Sequence, residues 1–115
     1  MKYLLPSQLE TALRIDHPIE QLIGTFEIDS HKALRWISID KSKTGYELTL
    51  HEMFDDSDEG IASIYDFSYI EPDDIYGRAV FTSESLTETL TFAEKEFRAT
   101  QGHYLNFGLL DELLK

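Results

Sequence analysis

At 115 residues the chain has the size of one domain, expected to span residues 1–115. Hydrophobic residues at 42% and aromatics at 12% supply a core and exclude a disordered tail. The 22 acids against 10 bases give a formal charge of −12, which disfavours direct binding to nucleic acid or an anionic membrane and favours basic surfaces. Without cysteine there are no disulfides, thiolate catalysis or cysteine-held metal sites. No apolar run approaches the ~20 residues of a bilayer span, and Tyr3-Leu4-Leu5 is too short for a signal-peptide core, so the expectation is a cytoplasmic protein.

Ser7-Gln8-Leu9-Glu10 has the pattern of a capping box, with Leu9, Ala12 and Leu13 at helical spacing behind it. Pro18 ends that helix, and Ile19 to Gly24 reads as another helical turn. From Thr25 the period changes. Phe26 and Ile28 alternate with polar residues, and Ala33 to Ile39 is rich in strand formers. Lys41 to Gly45 reads as a hairpin loop, and Tyr46 to His51 as a strand with Tyr46, Leu48 and Leu50 on one face. After a loop from Asp55 to Gly60, Ile61, Ser63, Tyr65, Phe67 and Tyr69 alternate as one face of a strand. Glu71-Pro72-Asp73-Asp74 reads as a turn and Arg78 to Thr82 as a short last strand. Ser85-Leu86-Thr87-Glu88 is a second capping box, opening a helix with Leu86, Leu90, Ala93 and Phe97 in one stripe and Gly102 placed to stop it. Leu109, Leu110, Leu113 and Leu114 suggest a terminal helix. Strands joined by short turns between helical ends predict an α+β domain, an antiparallel sheet of about four strands with N-terminal and C-terminal helices packed on it.

The charge is local. Between Thr44 and Gly77 there is no Lys or Arg, and Glu47, Glu52, Asp55, Asp56, Asp58, Glu59, Asp66, Glu71, Asp73 and Asp74 lie there. The remaining twelve acids nearly balance the ten bases, so −10 of the −12 falls in this window. Three readings stand side by side. The acids are solvated loop carboxylates placed by turn propensity. Or they form a docking surface for a basic protein, with Tyr46, Tyr65, Tyr69 and Tyr76 interleaved among them. Or Asp55 to Asp66, with Gly60 at the sixth position, binds calcium; against this, Asp66 replaces the usual bidentate Glu, and the flanks read as strands. No metal or cofactor is assigned.

Catalytic motifs are missing. His17, His31, His51 and His103 are scattered, with no pair at metal-ligand spacing, no Gly-x-Ser-x-Gly and no phosphate-binding Gly-rich loop. His51 and Glu52, as neighbours in a strand, point to opposite faces, and His51 is expected to be exposed. Trp36 is expected in the core or on a sheet face.

The hairpin Trp36-Ile37-Ser38-Ile39-Asp40 with Tyr46 to His51, the acidic loop Asp55 to Glu59 and the strand Ile64-Tyr65-Asp66-Phe67 together resemble the small acidic immunity proteins that neutralise bacterial toxins. The resemblance covers roughly Trp36 to Tyr76 and implies a basic toxin partner such as a nuclease domain. Asp55, Asp56, Asp58, Glu59, Asp73 and Asp74 would then pair with its Lys and Arg side chains, with Glu52 and Asp66 on the same surface and Tyr65, Tyr69 or Tyr76 as anchors. Seated in a nuclease active site, the acids would mimic nucleic-acid phosphates. Two alternatives stay open: a small enzyme or ligand-binding domain with a sheet-face pocket near Trp36 and His51, and a subunit that oligomerises through its C-terminal leucines.

Overall fold

The computed structural model describes residues 3–114. Its centre is an antiparallel sheet of five strands: β1 (Ile19–Ile28), β2 (His31–Lys41), β3 (Tyr46–Phe54), β4 (Arg78–Ser83) and β5 (Leu105–Asn106). They lie in the order β4-β3-β2-β1-β5. Two helices, α1 (Leu9–Arg14) and α2 (Leu86–Phe97), pack on one face, so the expected α+β arrangement is the one observed. The count of four strands becomes five.

Alternation on β2 and β3 builds both faces. Ile37 and Ile39 pair with Leu50 and Leu48 and meet Leu9, Ala12 and Leu13 of α1 and Leu90 and Ala93 of α2. The opposite residues Leu34, Trp36 and Met53 form a second core with Ile64, Phe67, Leu105 and Leu110. Burying each such side chain contributes roughly 1.5–3 kcal/mol, so burial holds the loop layer on that face as well as the helix layer on the other.

Several expectations are corrected. Ile19 to Gly24 is not a helical turn but the first half of β1, because Ile19 and Gln21 take up ladder positions opposite Ile39 and Ile37. Ile61 to Tyr69 is not a strand: it crosses the second face through a 3-10 turn, Ile64–Asp66, burying Ile64 and Phe67 three residues apart, and only Tyr69 makes a bridge, to Met53. Its alternation of apolar residues reflects a coil lying flat on a core. Ser7 caps nothing; a 3-10 turn, Pro6–Gln8, precedes α1, and the Gln8 side chain accepts from the Leu5 N–H at 2.8 Å. Arg98, in the left-handed region at φ 58°, stops α2 before Gly102 is reached. The C-terminal leucines form not a helix but a 3-10 turn, Leu110–Leu113, with Leu110 buried in the second core while Leu109 and Leu114 stay exposed.

The Ser85 box holds in half. Its Oγ accepts from Glu88 N at 3.2 Å, while the Glu88 carboxylate accepts from Ser83 Oγ at 2.7 Å instead of closing on Ser85. The β2–β3 loop closes as expected, with Ser42 N donating to Gly45 O.

Candidate partner-binding surface

The helices cover only part of their face. Toward the two-residue β1–β2 turn, Asp29-Ser30, the same face carries Phe26 on β1, Arg35 on β2 and Glu52 on β3. Arg35 Nε and Nη2 both donate to Glu52 Oε2, at 2.8 and 2.6 Å, and the guanidinium lies over the Phe26 ring, 5.1 Å from its centroid. Arg78 on β4 stands 4.0 Å from Glu52 and 3.9 Å from Asp74. The base-free window of the sequence is therefore not base-free in space: strand pairing brings one arginine from either side to Glu52 and Asp74. Chain order hides this, because register decides which charges meet.

Three grooves adjoin one another around this end. One of about 390 Å³ is lined by Phe54, Asp55, Asp56, Asp58 and Glu59 together with the turn residues Ser30, His31 and Lys32. It shares Lys32 and Asp55 with a second of about 460 Å³ beside Thr25, Phe26 and Glu27. Phe26 in turn borders a third, with Ile28, Ile70, Glu71 and Asp74. The half-buried Phe26, Ile28, Phe54 and Ile70 thus sit among carboxylates, with Lys32, Arg35 and Arg78 between them. Ile75 is 63% exposed and Tyr76 87%, on the turn that holds Glu71, Asp73 and Asp74.

The predicted acids divide by role. Asp55 Oδ1 accepts from Ser57 N and Oγ at 3.0 and 2.6 Å, and Asp56 Oδ2 accepts from Ser68 N at 2.7 Å, so both shape the loop. Asp58, Glu59, Asp66 and Asp73 are exposed, and none of their carboxylates has a hydrogen-bond or ion-pair partner among the described residues. Among the described residues no group of three or more His, Cys, Asp or Glu side chains is placed to hold a metal ion.

Tyr65 and Tyr69 turn their hydroxyls inward. The Tyr65 hydroxyl donates to Glu20 Oε1 at 2.7 Å and accepts from Leu110 N at 3.0 Å, and Gly108 N also donates to Glu20. Burial raises the Glu20 carboxyl above the usual range, against the Tyr65 and Gly108 bonds that lower it. Asp111 accepts from Ser63 Oγ and Ile64 N, pinning the crossing segment to the C-terminal turn.

His51 is not exposed but 6% accessible, stacked on Trp36 with ring centroids 3.7 Å apart. Nε2 lies 2.9 Å from Ser38 Oγ and Nδ1 2.9 Å from Tyr69 Oη. In a neutral ring one nitrogen donates and the other accepts, so a single directional chain of bonds links the three residues. Burial lowers the His51 pKa to about 4, which keeps the ring neutral near pH 7. Gly77, at φ +88°, closes over it: a Cβ there would come within 2.7 Å of the His51 ring and of Thr49 Cγ2. Tyr65 stands edge-on to Trp36 at 5.7 Å. The place expected for a sheet-face pocket beside Trp36 and His51 is filled by the chain itself.

Sequence reasoning missed Phe26, Ile28 and Ile75 as surface residues. The signal for Ile75 was present, an apolar residue inside an acidic turn. Comparison with protein-family models, curated proteins and solved structures finds no match for this chain. Among the described residues no helix is long and apolar enough to cross a membrane.

Proposed function

We propose that this chain is a protein-binding module of the immunity type, which binds and neutralises a basic toxin domain through the acidic end of its sheet. The observation that carries this reading is the arrangement there: half-buried Phe26, Ile28 and Ile70 bordered by Glu52, Glu71 and Asp74 and by the paired Arg35 and Arg78, with the carboxylates of Asp58, Glu59 and Asp73 unpaired among the described residues. An apolar centre with a charged rim is the anatomy of a protein interface, and crowded like charges are relieved when a cationic surface covers them. Ile75 and Tyr76 supply anchors on the adjoining turn.

The test is inhibition of a basic nuclease domain encoded in a neighbouring reading frame. The nuclease is expected to be inhibited at a one-to-one ratio. Association is expected to slow at least tenfold between about 50 and about 500 mM salt as screening shortens the reach of the acids. Inhibition that is missing, or association indifferent to salt, would refute the reading.

A further inference from the structure

The β1–β2 ladder fixes which backbone groups face outward. In a hairpin closed by a two-residue turn the flanking residues, here Ile28 and His31, exchange hydrogen bonds, and the pairs then alternate along an antiparallel ladder. Phe26 with Ala33 is therefore a bonded pair, while Glu27 and Thr25 turn their N–H and C=O away from β2. The strand on that side, β5, reaches only Ile19 and Glu20. From residues 22 to 28 no strand among the described residues covers this edge. Open edges are ordinarily blunted by charged side chains, Pro, a bulge or a very short strand; along these residues β1 has no Lys or Pro, its bulge lies at one end, between Leu22 and Gly24, and its one charge is Glu27, which would favour a basic strand over an acidic one.

Gly24 adds an independent observation. It sits at the register shift in this edge, its φ lies outside the left-handed region, and a Cβ there would meet nothing within 4 Å. A bare residue inside a strand marks a bulge or a close approach by another backbone; Gly24 sits at the bulge, and the space beside it is open to a neighbouring chain. The other outer strand, β4, opens instead with the cation Arg78. Beside β1 the charges are Glu27 and Asp55 against Lys32, with Arg35, over Phe26, already paired to Glu52.

We propose that the outer edge of β1, residues 23–28, receives an extended basic segment of the partner as an additional antiparallel strand. This rests on the reading of the acidic end as a docking surface and specifies how the partner engages it. An added strand would lay alternate side chains beside Phe26 and Ile28 on one face and beside Glu27 on the other. The segment it fits therefore alternates apolar and basic residues. A second copy of this chain would bring acid against acid.

The probes are two capped peptides of about ten residues and equal charge, one alternating Lys and Val, the other Lys and Pro, which keeps the charge and resists strand pairing. The Lys–Val peptide is expected to bind at least about tenfold more tightly at low salt and to slow hydrogen exchange at the Thr25 and Glu27 amides. Thr25→Pro, which removes one outward donor at a strand edge where proline is tolerated, is expected to abolish that preference. Exchange on the wild-type protein decides the matter even if this variant folds poorly. Equal binding by the two peptides with both amides unprotected would overturn strand addition and leave acidic docking standing. Binding by neither would overturn strand addition, while inhibition of the nuclease domain decides acidic docking separately. Protection confined to residues 78–83, or a concentration-dependent dimer of the free chain protected at residues 23–28, would overturn the choice of edge or of occupant.

Discussion

His51 should make the stability of this fold fall with acid in a window set by its own burial. Its pKa drops from 6.5 to about 4 on folding, so between those values the unfolded chain holds a proton that the folded chain excludes. Stability contributed by the neutral ring is complete above pH ~6.5 and is lost as pH falls toward ~4, by about 2 kcal/mol at pH 5 and about 3 kcal/mol at pH 4. Glu20 and Asp40 act in the opposite sense. Burial raises both, with Glu47 adding repulsion at Asp40, so their protonation favours the folded state as pH falls. The His51 share must therefore be taken as a difference between the wild type and His51→Gln, which cannot titrate. Urea unfolding followed by the fluorescence of Trp36, the chain's one tryptophan and 4% exposed, gives both stabilities across pH 4 to 7.5. The variant is expected to be less stable at pH 7 but to lose about 2 kcal/mol less than the wild type between pH 7 and pH 5. Parallel curves for the two proteins would show that the stacked, hydrogen-bonded ring is not held neutral, and would refute the argument.

Other substitutions separate strain from packing. Ser30→Gly should stabilise the protein by about 1 kcal/mol, since Ser30 holds φ 66° in a turn that favours glycine there; a calorimetric melt reads it. Gly77→Ala should cost about 3 kcal/mol, from a left-handed backbone and a Cβ driven into His51 and Thr49. Gly24→Ala should instead leave the free chain unchanged or up to about 1 kcal/mol more stable by denaturant titration, because its backbone is outside the left-handed region and a Cβ there meets nothing within 4 Å. Asp111→Ala should cost about 2 kcal/mol by the same titration and speed hydrogen exchange at Ile64, whose N–H loses its acceptor.

Local chemistry made much of this fold legible. Tyr46 to His51 alternates cleanly because one face meets the helices and the other Trp36; Ser85 with Glu88 marks the start of α2 because the cap is a contact within one turn. What failed depended on partners distant in sequence. Ile19 to Gly24 has no period of its own, and becomes a strand only because β2 lies beside it. Ile61 to Tyr69 alternates convincingly, yet its hydrophobic residues serve a coil pressed on Leu34, Trp36 and Met53. The acidic window was visible, but not the division within it: Glu52 meets Arg35 through register, Asp55 and Asp56 hold the loop, and Asp58, Glu59 and Asp73 remain unpaired among the described residues. His51 read as exposed for a similar reason, since its cover comes from Tyr69 and Gly77, beyond the hairpin that carries it.

The most direct test of the acidic end as the binding surface is a pair of charge reversals of equal size at different places. Asp58→Lys with Glu59→Lys alters exposed acids of the groove, whereas Glu10→Lys with Glu96→Lys alters exposed acids on α1 and α2. Measured by stopped flow against the basic toxin domain at low salt, the groove pair is expected to slow association about tenfold or more while the helix pair changes it by less than about threefold. Equal slowing by both pairs would mean that only net charge matters, and would contradict a localised binding surface.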